Sequence, residues 1–238
     1  MRAVYNEELK TIKEEILLMS SQAERMLADS IIALEEQDIK LAKSTIHRDD
    51  IVDLKEIQLQ QIVSEVIARQ QPVAGDLRRL SSTYKIITNL ERIADLAVNI
   101  CQKAICLRKE KYYKKIDLIP QIATLVEKQM RLCIQAYIDE DISQMEEVVQ
   151  IENEIDATNS KLQNNCIHEV MGNPELTLQG MGFSFIGSHL ERVGDHATNI
   201  FETVYYIVTG NYMDFNDLDT EDDLDDELGA LNVTIEEK

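Results

Sequence analysis

Eight carboxylates, spaced as four pairs, are the residues of this chain best placed to do chemistry. Asp49 and Asp53 are four apart, as are Glu91 and Asp95, Glu152 and Asp156, and Glu191 and Asp195. On a helix that spacing turns both side chains to one face, with Cβ atoms roughly 5–6 Å apart. Like charges so placed destabilise the helix, so something must compensate them. A single acidic pair is usually a solvated face. These four recur as matched sets in both halves of the chain and interrupt otherwise apolar stripes. Four anions inside a bundle need protons or cations, because burying an unpaired carboxylate costs several kcal/mol. Carboxylate sets suit hard or borderline cations such as magnesium, manganese and iron. The chemistry predicted here is therefore metal binding.

The elements that carry these acids repeat. Leu90 to Ile100 reads Leu-Glu-Arg-Ile-Ala-Asp-Leu-Ala-Val-Asn-Ile, and Leu190 to Ile200 reads Leu-Glu-Arg-Val-Gly-Asp-His-Ala-Thr-Asn-Ile. A match that dense indicates duplication, and duplication decides the architecture. Upstream, Asp38-Ile39 corresponds to Asp141-Ile142, each Asp standing where a helix N-cap is expected. The helix after each Asp reads, at heptad spacing, Ile39, Ala42, Ile46, Asp49, Asp53, Glu56, Gln60 and Ile142, Met145, Val149, Glu152, Asp156, Asn159, Gln163. Both stripes start apolar and turn acidic on the side that should be buried. Gly180, Ser184 and Gly187 precede Glu191 where the first copy has larger residues, which predicts a closer backbone approach there.

Six helices are predicted, near 5–37, 39–70, 76–110, 117–140, 142–171 and 175–209. Gln71-Pro72 and Asn173-Pro174 mark the connections before the third and sixth, because the residue before proline disfavours the helical region. Short connections make neighbours antiparallel. The fold class is all-α, two tandem three-helix bundles: residues 1–112, then 113–210, followed by an acidic and disordered tail at 211–238. The basic run from Arg108 to Lys115 joins the halves and reads as a solvated connection.

Net charge is −20, of which −10 lies in residues 211–238. Such a surface excludes nucleic acid as a partner. The amino terminus lacks an apolar signal-peptide core and no apolar run approaches membrane-spanning length, so a cytoplasmic protein is expected. Cys101, Cys106, Cys133 and Cys166 show no metal spacing and read as small buried residues. Arg92 and Arg192, one residue beyond Glu91 and Glu191, should point away from the acids. Asn99 and Asn199, one turn beyond Asp95 and Asp195, suit either hydrogen bonding to a metal ligand or plain surface. The four histidines lack Glu-x-x-His spacing and read as non-ligands. No phosphate-binding loop, dinucleotide motif or organised nucleophile is present.

Arg69-Gln70-Gln71-Pro72-Val73-Ala74-Gly75-Asp76-Leu77-Arg78, with the two Leu-Glu-Arg-x-x-Asp-x-x-x-Asn-Ile segments, resembles the PhoU family of phosphate-specific transport system accessory proteins. The resemblance covers residues from about 5 to 210. It implies acidic motifs that hold multinuclear metal clusters on the bundle surface. Iron comes first among the ions, with manganese, magnesium and zinc as alternatives. Asp49, Asp53, Glu91 and Asp95 would form one site, and Glu152, Asp156, Glu191 and Asp195 the other. It also implies a cytoplasmic, non-enzymatic regulator, often a homodimer. Such a regulator acts with the phosphate ABC transporter and a phosphate-sensing histidine kinase, and meets the membrane only through those partners. Ala94-Asp95-Leu96 departs from the family's Gly-Asp-His. Two other classes compete: a carboxylate-bridged metalloenzyme, separable by turnover assays, and a purely structural helical adaptor, separable by metal analysis.

Overall fold

The computed structural model describes residues 2–108, 111–113 and 116–213. They form six long helices: α1 (Arg2–Glu35), α2 (Ile39–Gln70), α3 (Ala74–Leu107), α4 (Leu118–Asp139), α5 (Met145–Gly172) and α6 (Thr177–Thr209), with one 3-10 turn at Pro174–Leu176 before α6. There is no strand among the described residues. The expectation of a disordered tail falls almost wholly on residues outside the described ones, as does half of the basic connection.

The helix ends follow local chemistry. The Asp38 carboxylate caps α2 by accepting from the amides of Lys40 at 2.8 Å and Leu41 at 3.0 Å, which satisfies donors that have no partner inside the helix. Its counterpart behaves differently from expectation. Asp141 binds the amide and hydroxyl of Ser143 instead, a local turn that competes with helix entry. The fifth helix therefore starts at Met145 rather than near 142. Gln71 closes α2 in the left-handed region, with φ 46° and its amide on Ile67, and Pro72 follows.

Heptad spacing builds the core. In α1 the buried Ile12, Ile16, Met19, Ala23, Met26 and Ser30 fall alternately four and three residues apart, the seam of a bundle helix. The helices α1–α3 pack as one three-helix bundle and α4–α6 as a second. The third helix of each, α3 and α6, lies against the other bundle, and one apolar core runs through all six helices. Polar ties cross the seam between bundles. Arg79 donates to both carboxylate oxygens of Glu140, at 2.8 and 2.6 Å, and Lys13 joins the same carboxylate at 2.9 Å. Cys101, Cys133 and Cys166 are buried as expected, but Cys106 is exposed.

Candidate functional site

In the first bundle α2 carries Asp49 and Asp53, and α3 carries Glu91 and Asp95. Antiparallel packing of α2 on α3 sets the pairs beside one another. Burial pushes the Asp49 carboxyl up to about 6, with the charges of Asp53 and Asp95 adding to the effect. Burial likewise lifts Glu91 to about 7, helped by Asp95, Glu56 and Asp53 and opposed by Arg92. The Oδ1 atom of Asp49 is buried and accepts no hydrogen bond. A buried carboxylate oxygen without a donor is costly as an anion, so this set favours a proton or a cation.

Arg92 corrects the expectation from sequence. It donates to Asp95 Oδ2 at 3.1 Å and approaches Glu91 Oε2 at 3.4 Å. Its long, exposed side chain folds back over the helix surface, and the (i, i+3) step brings Asp95 within reach. Glu56, on the same stripe of α2, is a fifth acid of this region. It accepts from Gln60 at 2.9 Å and Thr88 at 3.2 Å.

In the second bundle Glu152 and Asp156 on α5 meet Glu191 and Asp195 on α6. Burial raises Glu152, Asp156 and Glu191 from the ordinary carboxylate range, and the charge of Asp195 adds to all three. Here amides and a hydroxyl answer the acids. Gln129 Nε2 and the Thr198 hydroxyl donate to Glu152 Oε2, and Asn159 Nδ2 donates to Glu191. These donors hold the two glutamates below where burial alone would carry them. Glycine makes room for them. A Cβ on Gly194 would stand 3.2 Å from Gln129 Oε1 and 3.4 Å from Glu152 Oε2, and one on Gly187 would lie 2.7 Å from Leu162 Cδ2 and crowd Asn159.

Each acidic set is thus brought together electrostatically. Among the described residues, however, no three His, Cys, Asp or Glu side chains are gathered tightly enough to hold one metal ion. Closing either set needs rotation of its rim members. Asp53, Asp156 and Asp195 are exposed and form that rim. The donors fit a hard cation: every one is a carboxylate oxygen, and the first set holds a buried oxygen without a partner. Asn199 lies exposed on a groove wall. The ring Nδ1 of His196 sits 2.8 Å from Asn89 Oδ1 across the bundle seam.

Gln129, Thr198 and Asn159 in these roles escaped the sequence reading. A signal existed for Gln129, a polar residue in the apolar stripe Val126, Met130, Cys133 of α4. Asn159 sat on the acidic stripe itself, replacing Glu56 of the first copy.

A family model described as PhoU domain matches twice, at residues 16–104 and 119–204. A phosphate-specific transport system accessory protein PhoU homolog of Clostridium acetobutylicum is 32% identical over 217 residues, covering 91% of this chain and 99% of its own. A homolog of the same description from Rhizobium meliloti is 32% identical over 209 residues, with 87% and 88% covered. The crystal structure of PhoU from Pseudomonas aeruginosa superposes with a TM-score of 0.83 at 28% identity, covering 87% of this chain and 100% of that one.

Proposed function

The chain belongs to the PhoU family, and on that premise we propose that it is an accessory protein of a phosphate-specific transport system. It acts there as a regulator rather than an enzyme, in the cytoplasm, with the phosphate ABC transporter and its sensor kinase as partners. The observation that carries this reading is the similarity along both halves: the domain match is double, and the Clostridium relative aligns over almost its whole length. Among the described residues no helix is long and apolar enough to cross a membrane, which fits a protein that reaches the membrane through partners.

The two acidic sets supply the cation sites of this reading. Asp49, Asp53, Glu91 and Asp95 would hold one, and Glu152, Asp156, Glu191 and Asp195 the other. A bound cation, iron first among the candidates, would neutralise clustered carboxylates and tie adjacent helices together. The protein's own part is to hold the acids close at a cost in repulsion, which makes the α2–α3 and α5–α6 seams responsive to ion occupancy. The first set has the greater need, because no amide donor answers Asp49.

Affinity capture of the tagged chain from detergent-solubilised membranes of its own organism tests the function. Phosphate transporter subunits should be enriched, and deletion of the chain should derepress phosphate-starvation genes under phosphate excess. Capture without transporter subunits, together with unchanged expression in the deletion strain, would contradict the proposal.

A further inference from the structure

The duplicated Leu-Glu-Arg segment carries an arginine and an asparagine besides its acids. Arg92 and Asn99 stand seven apart on α3, and Arg192 and Asn199 do so on α6. A step of seven keeps nearly the same face of a helix. The same step runs back from Arg92 through Lys85 to Arg78. Side-chain contacts set this stripe along the seam between α3 and α6. The Arg78 guanidinium lies 5.8 Å from the Tyr206 ring centroid. His196 Nδ1 meets Asn89 Oδ1 at 2.8 Å, and Lys103 Nζ stands 4.6 Å over the Phe185 ring. The two helices therefore run antiparallel, and the stripe follows their seam from end to end.

Positive charge on this seam goes unanswered, although the chain as a whole carries −20. Elsewhere carboxylates take up exposed cations, as Glu8 does Arg69 and Glu147 does Lys128. Among the described residues Arg78, Lys85, Lys103 and Arg192 make no ion pair, and Arg92 pairs only with acids of its own helix. Burial holds the His189 ring below its usual pKa, and the charges of Lys103 and Arg192 push the same way. Its Nδ1 atom is buried without a hydrogen-bond partner. Burial lowers His196 too, with Arg192 and Arg92 adding and Asp195 opposing. Like charges gathered on one surface raise its potential and attract an opposite charge from outside. One end of the seam is hollowed into a groove of about 310 Å³, lined on both sides by Lys85, Asn89, Asn199 and Tyr206. Glu202 also lines it and opposes an acidic occupant.

We propose that the α3–α6 seam docks an acidic, extended segment of a partner protein, with its carboxylates on Lys85, Arg192 and Lys103 and its backbone on the asparagines between them. Lys85 and Lys103 are separated by about 27 Å of helix at 1.5 Å per residue, a length that about eight extended residues span. Asn89, Asn99 and Asn199 each carry an amide that can donate to and accept from a peptide backbone. A flat anionic leaflet suits the seam less well. It would also meet Asp195 and Glu202, whereas a narrow strand can pass between them. The inference goes beyond the transport reading and rests on the charge of the seam alone, so either can fail without the other.

Fluorescence anisotropy of fluorescein-labelled octaglutamate with the full-length chain tests the seam. The titration is run in about 0.1 M salt, where a Debye length of about 10 Å screens the remoter acids. Saturable binding is expected. Lys103→Glu with Arg192→Glu should weaken it about tenfold or more. Lys40→Glu with Lys161→Glu makes the same change of charge at exposed lysines off the seam. That control should stay within about twofold of the parent. Circular dichroism checks the fold of each variant, and Lys103→Gln with Arg192→Gln serves as the milder pair if the reversal unfolds the chain. Absence of binding to the parent, or equal weakening in the seam and control variants, overturns the proposal. Sedimentation of the parent with phosphatidylserine vesicles, lost in the seam variant and not competed by octaglutamate, also overturns it, by placing a membrane on the seam.

Discussion

Glu152 and Glu191 in the second bundle each rest on a side-chain amide, whereas in the first Asp49 Oδ1 has no donor and Glu91 has the Arg92 guanidinium at 3.4 Å in place of an amide. The helices match, the spacings match and the carboxylates match. What differs is the layer behind them. Gln129, Thr198 and Asn159 donate to the second set, and Gly187 and Gly194 make room for two of these amides. The first copy has Ile87 and Ala94 at the glycine positions, Val98 in place of Thr198, and Glu56 in place of Asn159. Duplication kept the acids and changed their support: buried amides answer the second set, whereas the first has one exposed guanidinium beside Glu91 and Asp95 and leaves Asp49 Oδ1 without a donor.

The largest expected effect comes from making the second set resemble the first. Gln129 is buried, and Gln129→Leu strips Glu152 of a donor while keeping a similar volume. Leaving that carboxylate short of a partner should cost about 1–3 kcal/mol in a urea melt. A loss near zero would mean that the amide contributes little to the contrast.

The pH dependence of the metal-free chain follows next. The folded carboxyls of Asp49 and Glu91 stand at about 6 and about 7, above their ordinary values of 3.8 and 4.5. A carboxyl raised on folding favours the folded state when protonated. That contribution is complete below the unfolded value and is lost as pH rises through the folded one. The melting temperature should therefore fall between pH 5 and pH 7.5. Asp49→Asn with Glu91→Gln should flatten the slope, and an unchanged slope would remove these two groups as its cause.

A smaller change makes the first set resemble the second. Glu56→Asn removes one acid facing Glu91 and supplies an amide where Asn159 stands in the other copy. Relief of one like-charge contact should raise stability by about 0.2–0.5 kcal/mol, and thermal melts at neutral pH would detect it. Smallest is Arg92→Ala. Its guanidinium is exposed, so its pairs with Asp95 and Glu91 should be worth about 0.2 kcal/mol or less in a thermal melt, vanishing in high salt.

The repeat made the fold legible. Two Leu-Glu-Arg segments one hundred residues apart and heptad stripes broken by acids place six helices and their pairing before any coordinates. Boundaries were less visible where a local hydrogen bond wins, as when Ser143 takes the Asp141 carboxylate away from the helix end. The acidic members of each set were legible because a like-charged pair on an apolar stripe is conspicuous. Their partners were not. Arg92 reaches Asp95 through a flexible side chain whose rotamer no spacing rule specifies, and Gln129 enters from a helix of the same bundle that carries none of the acids. Nor does the sequence say that α3 and α6 pack together across the bundles, which depends on faces that all read as apolar.

The asymmetry between the sets is tested most directly by calorimetric titration of manganese(II) into the metal-free chain and its Glu91→Gln and Glu191→Gln variants. Repeating the titration in buffers of different ionisation enthalpy reads the protons released. Glu91→Gln should abolish the tighter binding step together with its proton release, while Glu191→Gln leaves that step in place. Loss of the tighter step in Glu191→Gln, or its survival unchanged in Glu91→Gln, would contradict the account.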